Sequence, residues 1–209
     1  ADLVAGLAGQ GPVAPLVQEI RVLLTLLALA VGGTLGLSGA ALQGLLRNPL
    51  AEPGIVGISA SAGLGAVVAL YFGLAAAWPP ALPVLGMAGA GVAAALVLAL
   101  AGRAAGVLSL VLAGVAVSSF AVAMTALALN LAPNPYALSE MLFWLLGSVR
   151  DRSTDDLLRA VPFMAAGCAL LLAAGRGLDA LSLGEETAAS LGIRLGRLRV
   201  QVVAGTALA

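Results

Sequence analysis

Long uncharged stretches alternate with short charged ones along this chain, and their lengths predict its elements. There is no charge between Arg21 and Arg47, none from 53 to 102, and none from 104 to 139. A hydrocarbon core of about 30 Å takes about twenty helical residues to cross. The first run therefore predicts one membrane span near 22–46. The second is too long for one helix and too short for three. It divides at Trp78, Pro79, Pro80 and Pro83, where prolines cannot continue a helix and the indole suits the headgroup boundary, so spans near 55–76 and 83–102 are expected. The third run predicts a span near 107–131, ending before Pro133 and Pro135. A fifth, near 157–174, is expected to kink at Pro162 and to close at Arg176, and the uncharged residues from 200 begin a sixth that is cut short.

The polar interruptions carry their own patterns. Arg47 is followed at once by Asn48 and Pro49, and a residue before proline is biased away from the helical region, so the first span stops there. Pro53 and Gly54 then turn the chain back. Residues 134–150 hold an apolar, aromatic run with Tyr136, Phe143 and Trp144 that ends at Gly147, which predicts a short helix lying along the membrane interface. Ser153 and Asp156 have the spacing of an N-terminal capping box. Residues 180–192 predict a short water-exposed helix, with Ser182 and Glu185 as a second capping box and Gly192 as its stop. Such a helix between two spans is either a rigid knob for another protein to grip or an idle connector, and spacing alone does not choose between them.

Small residues recur every four positions in two of the spans: Gly32, Gly36, Ala40 and Gly44 in the first, Gly57, Ser61 and Gly65 in the second. That spacing lines them on one helix face. There a neighbouring backbone can come close, which matters where lipid supplies no hydrophobic drive between helices.

Composition narrows the class. The chain is 61% hydrophobic and 10% charged, with mean hydropathy +1.09, against about a quarter charged in soluble domains. An all-α integral membrane protein, a polytopic helix bundle, is the expected fold. Ten basic residues balance ten acidic ones, so no nucleic-acid surface is indicated. There is no histidine, and the single Cys168 sits in an apolar run, so neither a metal site nor a disulfide is expected. Without lysine there is no nucleotide-binding P-loop, and no ATP or other cofactor is expected on this chain. The opening residues show no basic, apolar and small-residue succession of a signal peptide. If each span crosses once, six arginines (Arg47, Arg103, Arg176, Arg194, Arg197, Arg199) share one side against four, which places the 47–54 turn and the 176–199 loop in the cytoplasm. Span interiors without charge suit a large solute in a smooth channel better than ion coupling.

At this point the residues resemble a known family. The run RNPLAEPG at 47–54, the small-residue helix before it, LAGVA at 112–116, Trp144 with Gly147 and Ser148, and LGE at 183–185 followed by Ala188, Leu191 and Gly192 look like the FecCD type of ABC importer permease. The similarity runs from about Ile20 to the C-terminus. It implies a type II importer fold of ten spans, of which this chain supplies about five and a half, so a fragment of a longer permease, poorly stable alone, is expected.

The resemblance also implies a function and partners. The family imports ferric siderophores, haem and cobalamin across the bacterial inner membrane. Its partners are cytoplasmic ABC ATPases, a second permease copy or paralogue, and a periplasmic or lipid-anchored binding protein. By the match, Gly184, Glu185, Glu186, Ala189, Leu191 and Gly192 would meet the ATPase. Ser118, Ser119, Thr125 and Asn130 would line the path. Arg21 would dock the binding protein, with Arg150 and Arg152 in place of a second arginine that the family carries just after Arg21 and that Val22, Leu23 and Leu24 replace here. Arg47, Asn48, Pro49, Glu52 and Pro53 would form a structural turn. The readings that compete are an ion-coupled carrier and a helical membrane scaffold. A membrane enzyme is disfavoured because no histidine or carboxylate pair lies within a span.

Overall fold

The computed structural model describes residues 20–102, 106–149 and 152–209. Among the described residues all regular structure is helical. The helices are α1 (Val22–Leu46), α2 (Ile58–Tyr71), α3 (Leu74–Ala77), α4 (Ala81–Ala101), α5 (Val107–Asn130), α6 (Pro135–Leu146), α7 (Thr154–Ser182), α8 (Glu185–Ser190) and α9 (Leu195–Leu208). Four of them, α1, α4, α5 and α7, are long and apolar enough to cross a membrane.

Local chemistry sets the ends. Arg47 closes α1 in the left-handed region, and Asn48 Oδ1 accepts from the Leu50 amide at 2.9 Å, which turns the chain while Gln43 Nε2 donates to the Pro49 carbonyl. The helix found within the expected span 55–76 is shorter than expected, 14 residues from Ile58 to Tyr71. Gly57, at φ +77°, delays the helix to Ile58, and Gly73, at φ +66°, separates α2 from the single turn α3. The proline cluster interrupts as expected, yet α4 starts at Ala81 and holds Pro83 in its first turn, where a missing N–H costs nothing. In α7 the Ser153 hydroxyl accepts from the Asp156 amide, and Asp156 Oδ2 accepts from the Ser153 amide, forming the predicted box. That helix does not close at Arg176. It runs 29 residues, about 43 Å, so its charged ends extend beyond a 30 Å apolar core.

Two helical sets share one core. In the first, α2, α4 and α5 pack together with α6 across one end; in the second, α1, α7 and α9 do. Contacts of α9 with α4 and of α1 with α5 join them. Leu42, Leu45, Val56, Val97, Leu110, Leu171, Val202 and Val203 lie fully buried at the join, surrounded by alanines. Met141 of α6 is buried against Val67 and Leu70 of α2.

Antiparallel α2 and α4 approach more closely than any side chain would permit. A methyl added at Gly65 would strike the Leu85 carbonyl, and one at Gly89 would strike the Ser61 carbonyl. Gly114 of α5 plays the same part against the turn, since its methyl would lie 2.6 Å from the Ile55 carbonyl oxygen. The Gly57, Ser61 and Gly65 series is thus occupied. The series in α1 is not. Gly32 and Gly36 have nothing within 4 Å, and only Gly44 meets a neighbour, Leu178, at 3.6 Å. The buried face of α1 is instead Thr34, Ser38, Ala41, Leu42 and Leu45.

Gly89→Ala is expected to destabilise the bundle by about 1–3 kcal/mol, because overpacking forces two backbones apart, whereas Gly91→Ala, with open space at its methyl, is expected to be near neutral. Thermal unfolding in detergent micelles checks the pair, and equal midpoints would refute the close-approach account.

Candidate functional site

The end of the bundle where α1, α4 and α7 finish gathers the predicted site. Gly44 of α1 packs on Leu178 of α7, so these helices run parallel, and the 47–57 turn lies at the same end as α8. α8 is a six-residue helix between Ser182 and Leu195. The second predicted capping box does not form. α7 continues through Ser182, whose hydroxyl donates to the Asp179 carbonyl at 2.6 Å, and Gly184, at φ +110°, caps α8 without a side chain. The far end closes as a Schellman motif. The Ile193 amide donates to the Ala188 carbonyl and the Gly192 amide, at φ +86°, donates to the Ala189 carbonyl, each at 3.0 Å.

The knob has a fixed inner side and a free outer side. Ala188 is fully buried beneath it. Glu185 is turned inward, where Arg199 Nη2 donates to its Oε1 at 3.1 Å. Glu186, Ala189, Leu191 and Gly192 are exposed, and Leu183 joins them. Leu183 and Leu191 are 66% and 61% exposed beside an acidic residue on a polar helix, outside the apolar runs that lipid would cover. Of the six residues expected to face an ATPase, four lie on this outer surface, Gly184 is a half-buried junction, and Glu185 is engaged within the chain.

The four polar residues expected to line a path do not form one stripe. Ser118 and Thr125 lie seven positions apart, on the half-buried face of α5 that looks to α2; a methyl on Gly57 would meet the Ser118 amide at 2.9 Å. Thr125 lines a cleft of about 260 Å³ with Ser59, Gly63, Leu129 and Leu145. Ser119 and Asn130 share a second, exposed face, and Asn130 Nδ2 donates to the Ala126 carbonyl at 2.8 Å, satisfied within its own helix.

At the opposite end, Arg21 and Arg152 are both exposed at the starts of the parallel helices α1 and α7, and Arg150 lies outside the described residues. Asp156 is held below the ordinary carboxylate range, first by the Ser153 backbone amide, then by the Ser153 hydroxyl and the positive charges of Arg152 and Arg159. Helix α6 shares this end. Asn134 Oδ1 caps it by accepting from the Ala137 amide at 2.9 Å, Gly147 closes it, and Tyr136, Phe143 and Leu146 project outward.

Comparison with known proteins places this arrangement. The model of the FecCD transport family matches residues 2–209. The chain belongs to the FecCD transport family. It is 37% identical over 205 residues to the ferric enterobactin transport system permease protein FepD of Escherichia coli K12, covering 93% of this chain and 60% of that one. It is 37% identical over 199 residues to the ABC transporter permease protein YvrB of Bacillus subtilis 168, covering 92% and 56%. A solved structure described as an inward-facing conformation of a metal-chelate type ABC transporter superposes with a TM-score of 0.84 at 29% identity, over 93% of this chain and 62% of the other. This FecCD chain therefore spans less than two thirds of the length of these relatives. Its fold is that of a multi-pass ABC permease.

One residue of the FecCD chain escaped the sequence reading: Arg199 is one arginine among three in six positions, and no local pattern ties it to Glu185 fourteen residues away. Leu183 lies in the LGE run at 183–185, and its exposure past the end of α7 adds it to the outer surface.

Ser153→Ala is expected to cost about 1 kcal/mol through loss of the α7 cap. Asp156 has a lowered folded pKa, so its contribution is full above the unfolded value of about 3.9 and declines as pH falls past it, gone below the folded pKa. The gap between the unfolding midpoints of the two proteins should accordingly be widest at pH 7 and narrow under acid, leaving the part owed to the hydroxyl's bond from the Asp156 amide; a gap that is independent of pH would contradict the assignment.

Proposed function

We propose that this chain is the greater part of a membrane-spanning permease subunit of a binding-protein-dependent ABC importer in the bacterial inner membrane. It forms, with a second permease copy or paralogue, the path for an iron chelate such as a ferric siderophore, or for haem or cobalamin. ATP is hydrolysed on a partner subunit and no cofactor is held by this chain. Nucleotide-driven closure of the ATPase pair moves α8, and the helices joined to it tilt as rigid bodies. The opposite end, with Arg21, Arg152 and the aromatic helix α6, receives the binding protein.

One observation carries this reading. A six-residue helix too polar for lipid stands at the tip of α7 and α9, buried on its inner side and presenting Leu183, Glu186 and Leu191 outward. Exposed apolar residues beside a charge on such a knob suit a protein groove. The similarity to the ferric enterobactin permease supports an iron chelate as the solute class.

The test is affinity purification of the permease from native membranes, with the captured proteins assayed for a P-loop ATPase. Glu186→Arg combined with Leu191→Arg is expected to reduce the captured ATPase by about tenfold or more while the permease stays in the membrane fraction. Undiminished capture would overturn the role of α8.

A further inference from the structure

Helix α8 cannot hold its own orientation. Helices shorter than about a dozen residues are marginal in water, and this one has six. Both of its junctions are glycines at positive φ, Gly184 and Gly192. A force applied to α8 would be absorbed by rotation at these two points unless something ties the helix to the bundle. Beneath it, Ala188 is buried but offers only a methyl group.

The tie is made by Arg199. Its guanidinium reaches across the loop from the second turn of α9 to Glu185 in the first turn of α8, Nη2 to Oε1 at 3.1 Å. This is the one ion pair between side chains among the described residues. The Arg199 side chain is only 12% exposed and Glu185 38%, so the pair is partly withdrawn from water and stronger than a surface pair. Arg197, two positions away, is exposed and serves no such link.

Beyond Arg199, α9 is fastened to α7 at several levels. Leu198 fills the space over Gly177, where an added methyl would lie 2.7 Å from its Cδ1. Gln201 Nε2 donates to the Leu170 carbonyl at 3.0 Å. Gly205 sits against Leu171, and Gly167 against Gly205 and Ala209. Helices α7 and α9 are thus joined as one antiparallel pair, and α8 hangs from it between two glycine junctions.

We propose that Arg199 is a positioning residue that locks α8 to α9, so that displacement of α8 by the ATPase is passed into the α7 and α9 pair and not lost at Gly184 and Gly192. This rests on the importer reading above, and it assigns Glu185 to the internal tie, leaving Glu186, Leu183 and Leu191 for the partner.

The test uses the assembled permease and ATPase in proteoliposomes, with solute uptake and ATP hydrolysis measured together. Arg199→Gln and Glu185→Gln are each expected to leave ATPase capture within about twofold of wild type but to lower solute moved per ATP by about fivefold or more. Arg199→Lys is expected to retain most of the coupling, and the double exchange Glu185→Arg with Arg199→Glu to restore it at least in part. Thermal unfolding in detergent separates these effects from misfolding: the exchanged and wild-type proteins should melt alike. Unchanged uptake per ATP in Arg199→Gln would overturn the proposal. So would loss of ATPase capture in Glu185→Gln that the double exchange fails to restore, because Glu185 would then contact the ATPase itself. Failure of the wild-type permease to capture any ATPase would instead overturn the importer reading, a result distinguishable from both.

Discussion

Close contact between helix backbones is the constraint on which this bundle depends. Lipid tails are as apolar as leucine, so burying leucine against leucine gains little inside a membrane, and helices hold together where their surfaces fit most closely. Here the fit is made by glycine: Gly65 and Gly89 let α2 and α4 touch carbonyl to Cα, Gly114 admits the 47–57 turn against α5, and Gly167 and Gly205 do the same for α7 and α9. Each glycine costs conformational freedom in a soluble helix. The apolar environment makes the helical form obligatory in any case, because every backbone group must be satisfied internally, so that cost falls and the gain in contact remains.

The same constraint explains the division between stiff and open surfaces. In the most hydrophobic stretches of the four long helices only 17–28% is buried. Large apolar residues such as Leu29, Leu35, Leu112 and Phe120 face outward. The chain spans less than two thirds of its relatives' length, and the glycine face of α1 is open. Polar and charged residues gather at the two ends, where capped helices and short turns can meet water.

Much of the fold was legible because the boundaries of membrane helices are set locally. Charge gaps bracket α1 and α5, Ser153 and Asp156 announce the start of α7, and Gly147 and Gly192 mark two ends. What a period of four could not tell is which face finds a neighbour. Gly32 and Gly36 share the spacing of Ser61 and Gly65, yet one series is open and the other closed, since occupancy depends on where a distant helix lies. Competition between local options hid the second cap: Ser182 can cap α8 or extend α7, and the longer helix wins. The tie from Arg199 to Glu185 crosses a loop and exists only in three dimensions, so the exposed helix was legible as a segment and the inward turn of Glu185 was not.

The order of contacts along the chain bears on how the bundle is made. Helices α2 and α4 are near neighbours in sequence and can zip together as soon as α4 leaves the ribosome, with α5 and α6 joining in turn. Helix α1 has no such neighbour. Its main partners are α7 and α9, with a lighter contact to α5, and α7 and α9 emerge only after every helix between has been delivered, so Thr34 and Ser38 on its inner face lack them throughout that interval. Thr34 manages the wait by bonding its hydroxyl to the Ala30 carbonyl of its own helix at 2.9 Å. Biosynthesis therefore closes this half of the molecule last, and α1 is locked in place well after it is made.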